Sequence, residues 1–262
     1  MRSVSRRISV LAIALLLPVE RLTAQAAKTP ANGTEVLAAM RAAYDGRWYH
    51  TLTFIQKTTF HRPNGVQEQL WYETLRHTPA GTQLRIDFGD LATGNGVIFT
   101  PDSTFPVRGG QPQPARPTGN EFLPLIEGVY VQPVAKTVKE LAGMNVDMSK
   151  VRTGTWEGKP VWVVGTTSAA DTTSPQFWVD TDRKLLVRMV LRPNADQPPL
   201  DVHLGGYEKV GRGAWLSTKI MMYREGKPLQ GEEYTDWKVD VPVDPALFDL
   251  SKWTSAPHWA RK

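Results

Sequence analysis

The sequence predicts a mainly β protein with a few helices, built around one large, strongly curved antiparallel sheet of about eleven strands. Three observations lead there. Apolar and polar residues alternate at a period of two through most of the chain after Trp48. Turn-forming residues stand between nearly every pair of such segments. Apart from one short insert, no helical period separates them, and links this short join antiparallel neighbours because a parallel crossover needs about a dozen residues or more.

Residues 1–26 open with Arg2, Arg6 and Arg7, continue with an apolar run over 8–17, and end on Ala24-Gln25-Ala26. A charged start, a short apolar middle and a small-x-small site predict a cleavable secretory signal, followed by a single domain over 27–262. The apolar run is shorter than the roughly 20 residues that cross a bilayer. Arg2, Arg6, Arg7 and Arg21 stand against Glu20 in this segment, so the formal net charge of +5 falls to +2 in the remainder. With no basic tract, a nucleic-acid partner is not expected. Cysteine is absent, which excludes disulfides, thiolate metal sites, a thiol nucleophile and a lipidated cysteine, and leaves packing as the source of stability.

Val36, Met40 and Tyr44 recur at helical spacing over 35–44, with Thr34 or Asn32 as the cap and Gly46 as the stop. From there the period is two: strands are expected over 48–60, 69–77, 83–88 and 97–100, with Pro63-Asn64-Gly65 and Pro79-Ala80-Gly81 as reversals. Pro112, Pro114 and Pro117 make 111–118 a loop, since proline offers no backbone donor to a sheet interior. The insert over 120–142 carries Phe122, Leu125, Ile126 and Val129 at helical spacing, interrupted by Pro124, Gly128 and Pro133. It is expected to be a movable lid over the concave face, with a short helix that plugs the core permanently as the alternative. Seven further strands follow over 151–156, 161–167, 176–180, 185–191, 200–207, 214–224 and 229–239.

Alternation assigns faces. Leu84, Ile86 and Phe88 oppose Arg85 and Asp87; Leu185, Val187, Met189 and Leu191 oppose Arg188 and Arg192; Leu200, Val202 and Leu204 oppose Asp201 and His203. The expected apolar concave face therefore includes Leu52, Phe54, Leu84, Ile86, Val187, Met189, Val202 and Leu204, lidded by Phe122, Leu125, Ile126 and Val129. Nine tryptophans are expected mostly in the core, with a minority available to line a groove.

The five histidines show no metal-binding spacing, and no nucleophile elbow, phosphate loop or dinucleotide fingerprint occurs, so neither metal nor cofactor is expected. Asp180 and Asp182 sit in a reversal whose acids can accept from their own turn amides.

Phe54-Ile55-Gln56-Lys57, Gly65-Val66-Gln67-Glu68, the Phe-Trp-Val-Asp strand end with its turn over 177–185, and Pro245-Ala246-Leu247-Phe248-Asp249 resemble the LolA/LolB-like lipoprotein carrier family. Arg76-His77-Thr78-Pro79 and Asn95-Gly96 depart from its usual Arg-Pro and Asp-Gly. The resemblance implies an open β half-barrel whose apolar concave side is lidded by helices and holds acyl chains. It further implies a non-enzymatic periplasmic or secreted carrier or sensor, with a lipid or acylated protein as ligand, envelope proteins as possible partners and at most peripheral membrane contact. Two other readings stand beside it: an exported hydrolase of glycans or lipids using scattered carboxylates such as Glu73, Asp87 and Asp236, and an envelope scaffold with a filled core.

Overall fold

The computed structural model describes residues 29–192, 194 and 196–261, so the expected signal lies outside the described residues. Helix α1 (Gly33–Ala43) begins where the Asn32 side chain accepts from the Glu35 amide at 3.0 Å, while the Glu35 carboxylate accepts from the Ala31 amide at 2.8 Å. Asn32 is thus the cap, with its acid three residues on facing backward. Val36, Leu37 and Met40 are fully buried along one side of this helix.

The first half of the sheet comprises β1 (Thr51–Arg62), β2 (Gly65–Thr78), β3 (Gly81–Phe88), β4 (Gly96–Phe99), β5 (Thr104–Arg108) and β6 (Gln111–Pro112). The second comprises β7 (Val151–Trp156), β8 (Lys159–Val164), β9 (Gln176–Asp180), β10 (Leu186–Leu191), β11 (Leu200–Val210), β12 (Ala214–Arg224) and β13 (Lys227–Val239). All pair antiparallel in one open sheet of 13 strands among the described residues, in the order β6-β5-β4-β3-β2-β1-β13-β12-β11-β10-β9-β8-β7. The two strands beyond the expected number are β5 and β6, which carry Pro106 and Pro112. Both lie at one edge of the sheet, where a missing backbone donor costs least. The loop expected over 111–118 accordingly begins as an edge strand.

This strand order dictates what covers the sheet. The chain's two halves join at the centre, where β1 pairs with β13 from Leu52↔Val239 to Phe60↔Gln230. The two edges, β6 and β7, are therefore consecutive in sequence, and the segment between them must cross the sheet's full width. It does so through a π-helical turn (Pro124–Gly128), α2 (Val129–Val131) and α3 (Val134–Leu141). Leu125, Val129, Tyr130 and Leu141 join the α1 residues and the inward side chains of the strands in one core.

The opposite face carries a second covering. Arg85, on the face opposite Leu84 and Ile86 as alternation predicts, is 0 % exposed. Its guanidinium donates to both Asp87 oxygens at 2.7 and 2.8 Å and to the carbonyls of Leu247 and Trp253 at 2.9 and 3.0 Å, while stacking on the Trp253 ring at 3.7 Å. His258 Nε2 lies 3.2 Å from Asp87 Oδ2. The segment after β13 is thereby fastened across the outer side of the first half.

Val187 departs from the expected alternation. Leu186 pairs with Val179 and Arg188 with Trp178, so Val187 is the extra residue of a bulge and packs with Val161 and Val163 rather than with Met189 and Leu191. A bulge of one residue turns the side chain to the other face. At the β9–β10 reversal, Asp180 Oδ1 accepts from the amides of Asp182 and Arg183, both at 2.9 Å, and the Arg183 guanidinium donates to Oδ2 at 2.9 Å.

Candidate functional site

The register of the first half builds the floor of a cavity in rows. Leu52, Leu75, Leu84 and Phe99 stand opposite one another across β1 to β4; Phe54, Glu73, Ile86 and Val97 form the next row; Gln56, Trp71 and Phe88 the third. Leu216, Ile220 and Met222 of β12 continue the wall, and Phe122, Leu123 and Ile126 of the insert form the roof. The cavity measures about 280 Å³. Its rows follow from the period of two, which sends every second residue of each strand inward.

Polar groups interrupt this lining at a few places. Glu232 Oε1 accepts from Gln230 Nε2 at 2.8 Å, and its Oε2 accepts from the Tyr234 hydroxyl at 3.1 Å. Burial pushes the Glu232 carboxyl up to about 7, and the hydrogen bonds only partly offset it. Glu73, 3 % exposed within an otherwise apolar row, has an Oε1 without any hydrogen-bond partner. Burial first, and then the neighbouring Glu232 charge, hold the Glu73 carboxyl well above the usual range. Glu127, in the π-helical turn, accepts from Trp48 Nε1 at 3.0 Å and from the Tyr49 hydroxyl at 2.6 Å, with His77 Nε2 at 3.5 Å. Among the described residues, no lysine, arginine or histidine lines the cavity.

Of the residues expected on the concave face, Leu52, Phe54, Leu84, Ile86, Phe122 and Ile126 line this cavity. Leu125, Val129, Met189, Val202 and Leu204 belong to the same core without reaching the cavity, and Val187 lies in a separate apolar cluster. The cavity sits over β1 to β4, β12 and β13, because the helices fill the remaining part of the face. Leu125, Val129 and Tyr130 are buried to 2 % exposure or less, which anchors the insert, whereas Phe122 and Ile126 remain partly exposed. Trp48, Trp71 and Trp215 line the cavity among the tryptophans. Sequence reasoning missed Glu232, Gln56 and Tyr234, and placed Glu73 only among scattered acids.

Those acids do not converge. Tyr72 pairs with Asp87 and Glu73 with Ile86, so Glu73 and Asp87 point to opposite faces, and Asp236 is an exposed bulge residue at φ +51°. No cluster of three or more potential metal ligands occurs among the described residues, and no helix among them is long and apolar enough to cross a membrane.

The architecture is an open antiparallel half-barrel with helices across its concave side. No family model and no curated protein matches the chain. Among solved structures it is similar to a Vibrio parahaemolyticus domain described as an outer membrane lipoprotein-sorting protein, with a TM-score of 0.56 and 10 % identity over 85 % of this chain and 98 % of that one. It is likewise similar to a DUF1329 family protein from Desulfovibrio piger, with a TM-score of 0.57 and 13 % identity over 84 % of this chain and 97 % of that one. At such identities the likeness concerns the fold.

Proposed function

We propose that this protein is an exported, non-enzymatic carrier or sensor that holds an apolar chain of a lipid or acylated protein in the cavity beneath the insert. The observation that carries this reading is the cavity itself, apolar in its rows and roofed by Phe122, Leu123 and Ile126. Small-molecule sites usually span roughly 300–1,000 Å³. At about 280 Å³ this one suits a single chain rather than a bundle of chains. Burying such a chain yields roughly 0.8 kcal/mol per methylene, reduced by the cost of association.

The same reading places the protein in the periplasm, with Met1 to Ala26 as its export signal and envelope proteins as its exchange partners. It is also supported by the shared fold with the lipoprotein-sorting domain. The test is mass spectrometry of solvent extracts from protein purified without detergent. A lipid recovered at about one per protein is the expected result; an empty protein that takes up no lipid when challenged would overturn the reading.

A further inference from the structure

Glu73 sits in the second row of the cavity floor, between Phe54 on β1 and Ile86 on β3. It is 3 % exposed, it lines the cavity, and its Oε1 meets no donor from the protein. A buried carboxyl in that state lacks the partner that buried polar groups normally have. Glu232, by contrast, already receives hydrogen bonds from Gln230 and Tyr234, and Glu127 receives them from Trp48 and Tyr49. The ionisable carboxyls of the lining are Glu73, Glu127 and Glu232; His77 faces Glu127 at 3.5 Å from outside the cavity, and no basic side chain lines the cavity itself among the described residues.

We propose that the cavity selects amphiphiles whose polar end is a protonated amine, with the Glu73 carboxylate as hydrogen-bond acceptor and Glu232 as a second negative charge nearby. The proposal deepens the reading of the cavity as a site for an apolar chain, and rests on it. An anionic head group would add like charge to a lining that offers no counter-charge. A neutral hydroxyl could donate to Glu73 but brings no charge to offset a carboxylate formed by loss of the proton, which in apolar surroundings is costly. An ammonium supplies both the missing donor and the opposite charge. Glu73 is elevated by burial and by Glu232, the environment in which a cation gains most from a carboxylate.

The test compares dodecylamine, dodecanol and dodecanoate by titration calorimetry at neutral pH, each below its micelle concentration, on the full chain without its signal. Dodecylamine should bind about ten-fold or more tightly than dodecanol, and dodecanoate more weakly than either. Glu73→Gln should lower the affinity for the amine relative to that for dodecanol about ten-fold, while Glu232→Gln should reduce the preference less. Equal binding of amine and alcohol by the wild type would overturn the proposal and leave the apolar-chain reading standing, and needs no variant to fold. A preference that survives in folded Glu73→Gln would overturn the assignment to Glu73. Failure of all three probes to bind would overturn the apolar-chain reading and this proposal with it.

Discussion

The Tyr49 hydroxyl donates a 2.6 Å hydrogen bond to Glu127 Oε1, and through it the chain just before β1 holds the insert that crosses the sheet. Trp48 adds an indole hydrogen bond to the other oxygen at 3.0 Å and stacks on Tyr130 at 3.9 Å. The Tyr130 hydroxyl in turn accepts from the Leu186 amide at 3.2 Å, so the insert is tied to both halves of the sheet. Glu127→Ala would leave two buried donors unpaired at about 1–3 kcal/mol each. For a domain of this size the melting temperature should fall by roughly 5–20 °C, against a few degrees for Tyr49→Phe. A Glu127→Ala protein melting within two degrees or so of wild type would show that the contact does not fasten the insert.

The outer strap gives an acid-dependent prediction. Burial alone would raise the Asp87 carboxyl, but the hydrogen bonds from Arg85 and His258 more than reverse it and hold it below 3.8. A carboxyl depressed on folding contributes stability present above its unfolded value and lost as pH falls through its folded value. Asp87→Asn leaves the buried Arg85 unpaired and should cost about 3–5 kcal/mol at neutral pH. The difference from wild type should shrink below about pH 4, as measured by denaturant unfolding across pH. A constant difference down to pH 2 or so would contradict this account of Asp87.

The cavity carboxyls have the opposite sign. Glu73 and Glu232 are raised on folding, so their stabilisation is fully present below the unfolded value of 4.5 and is lost as pH rises through the folded value, about 7 for Glu232. Burial raises Glu232, and the hydrogen bonds from Gln230 and Tyr234 lower it in part. Its share of the loss between those limits is on the order of 3 kcal/mol. Glu232→Gln should therefore flatten the decline of melting temperature from pH 5 to 8 and exceed wild type at the alkaline end. Parallel curves for the two proteins would refute it.

Hydrogen exchange separates the anchored part of the insert from its roof. Tyr130 and Leu141, both 2 % exposed, should show core-like protection in the empty protein, whereas amides near the partly exposed Phe122 and Ile126 should exchange faster and slow when a chain is bound. Fast exchange throughout 120–142 would indicate a free lid instead.

Alternation made the cavity floor legible, since Leu52, Phe54, Leu84 and Ile86 each fall in phase with apolar neighbours two residues away. Glu73 carried a signal of the same kind, because it lies in phase with Trp71 and Leu75, where an acid is out of place. Arg85 could not be placed that way: its burial depends on a segment 160 or so residues further on, and a charge in a strand reads as solvent-facing until that segment folds over it. Val187 was misplaced because a bulge leaves no mark in composition. Strand β5 was hidden by Pro106, which the sheet tolerates near its edge.

If the space above β1 to β4, β12 and β13 accepts an apolar chain, titration with the neutral dye N-phenyl-1-naphthylamine will show it. The wild type should take up one dye per protein with saturable fluorescence, dodecanol should displace it, and Ile86→Trp, which fills the cavity, should lower the affinity about ten-fold while retaining the circular dichroism of the fold. Absence of saturable uptake by the wild type, or unchanged affinity in folded Ile86→Trp, would contradict the account.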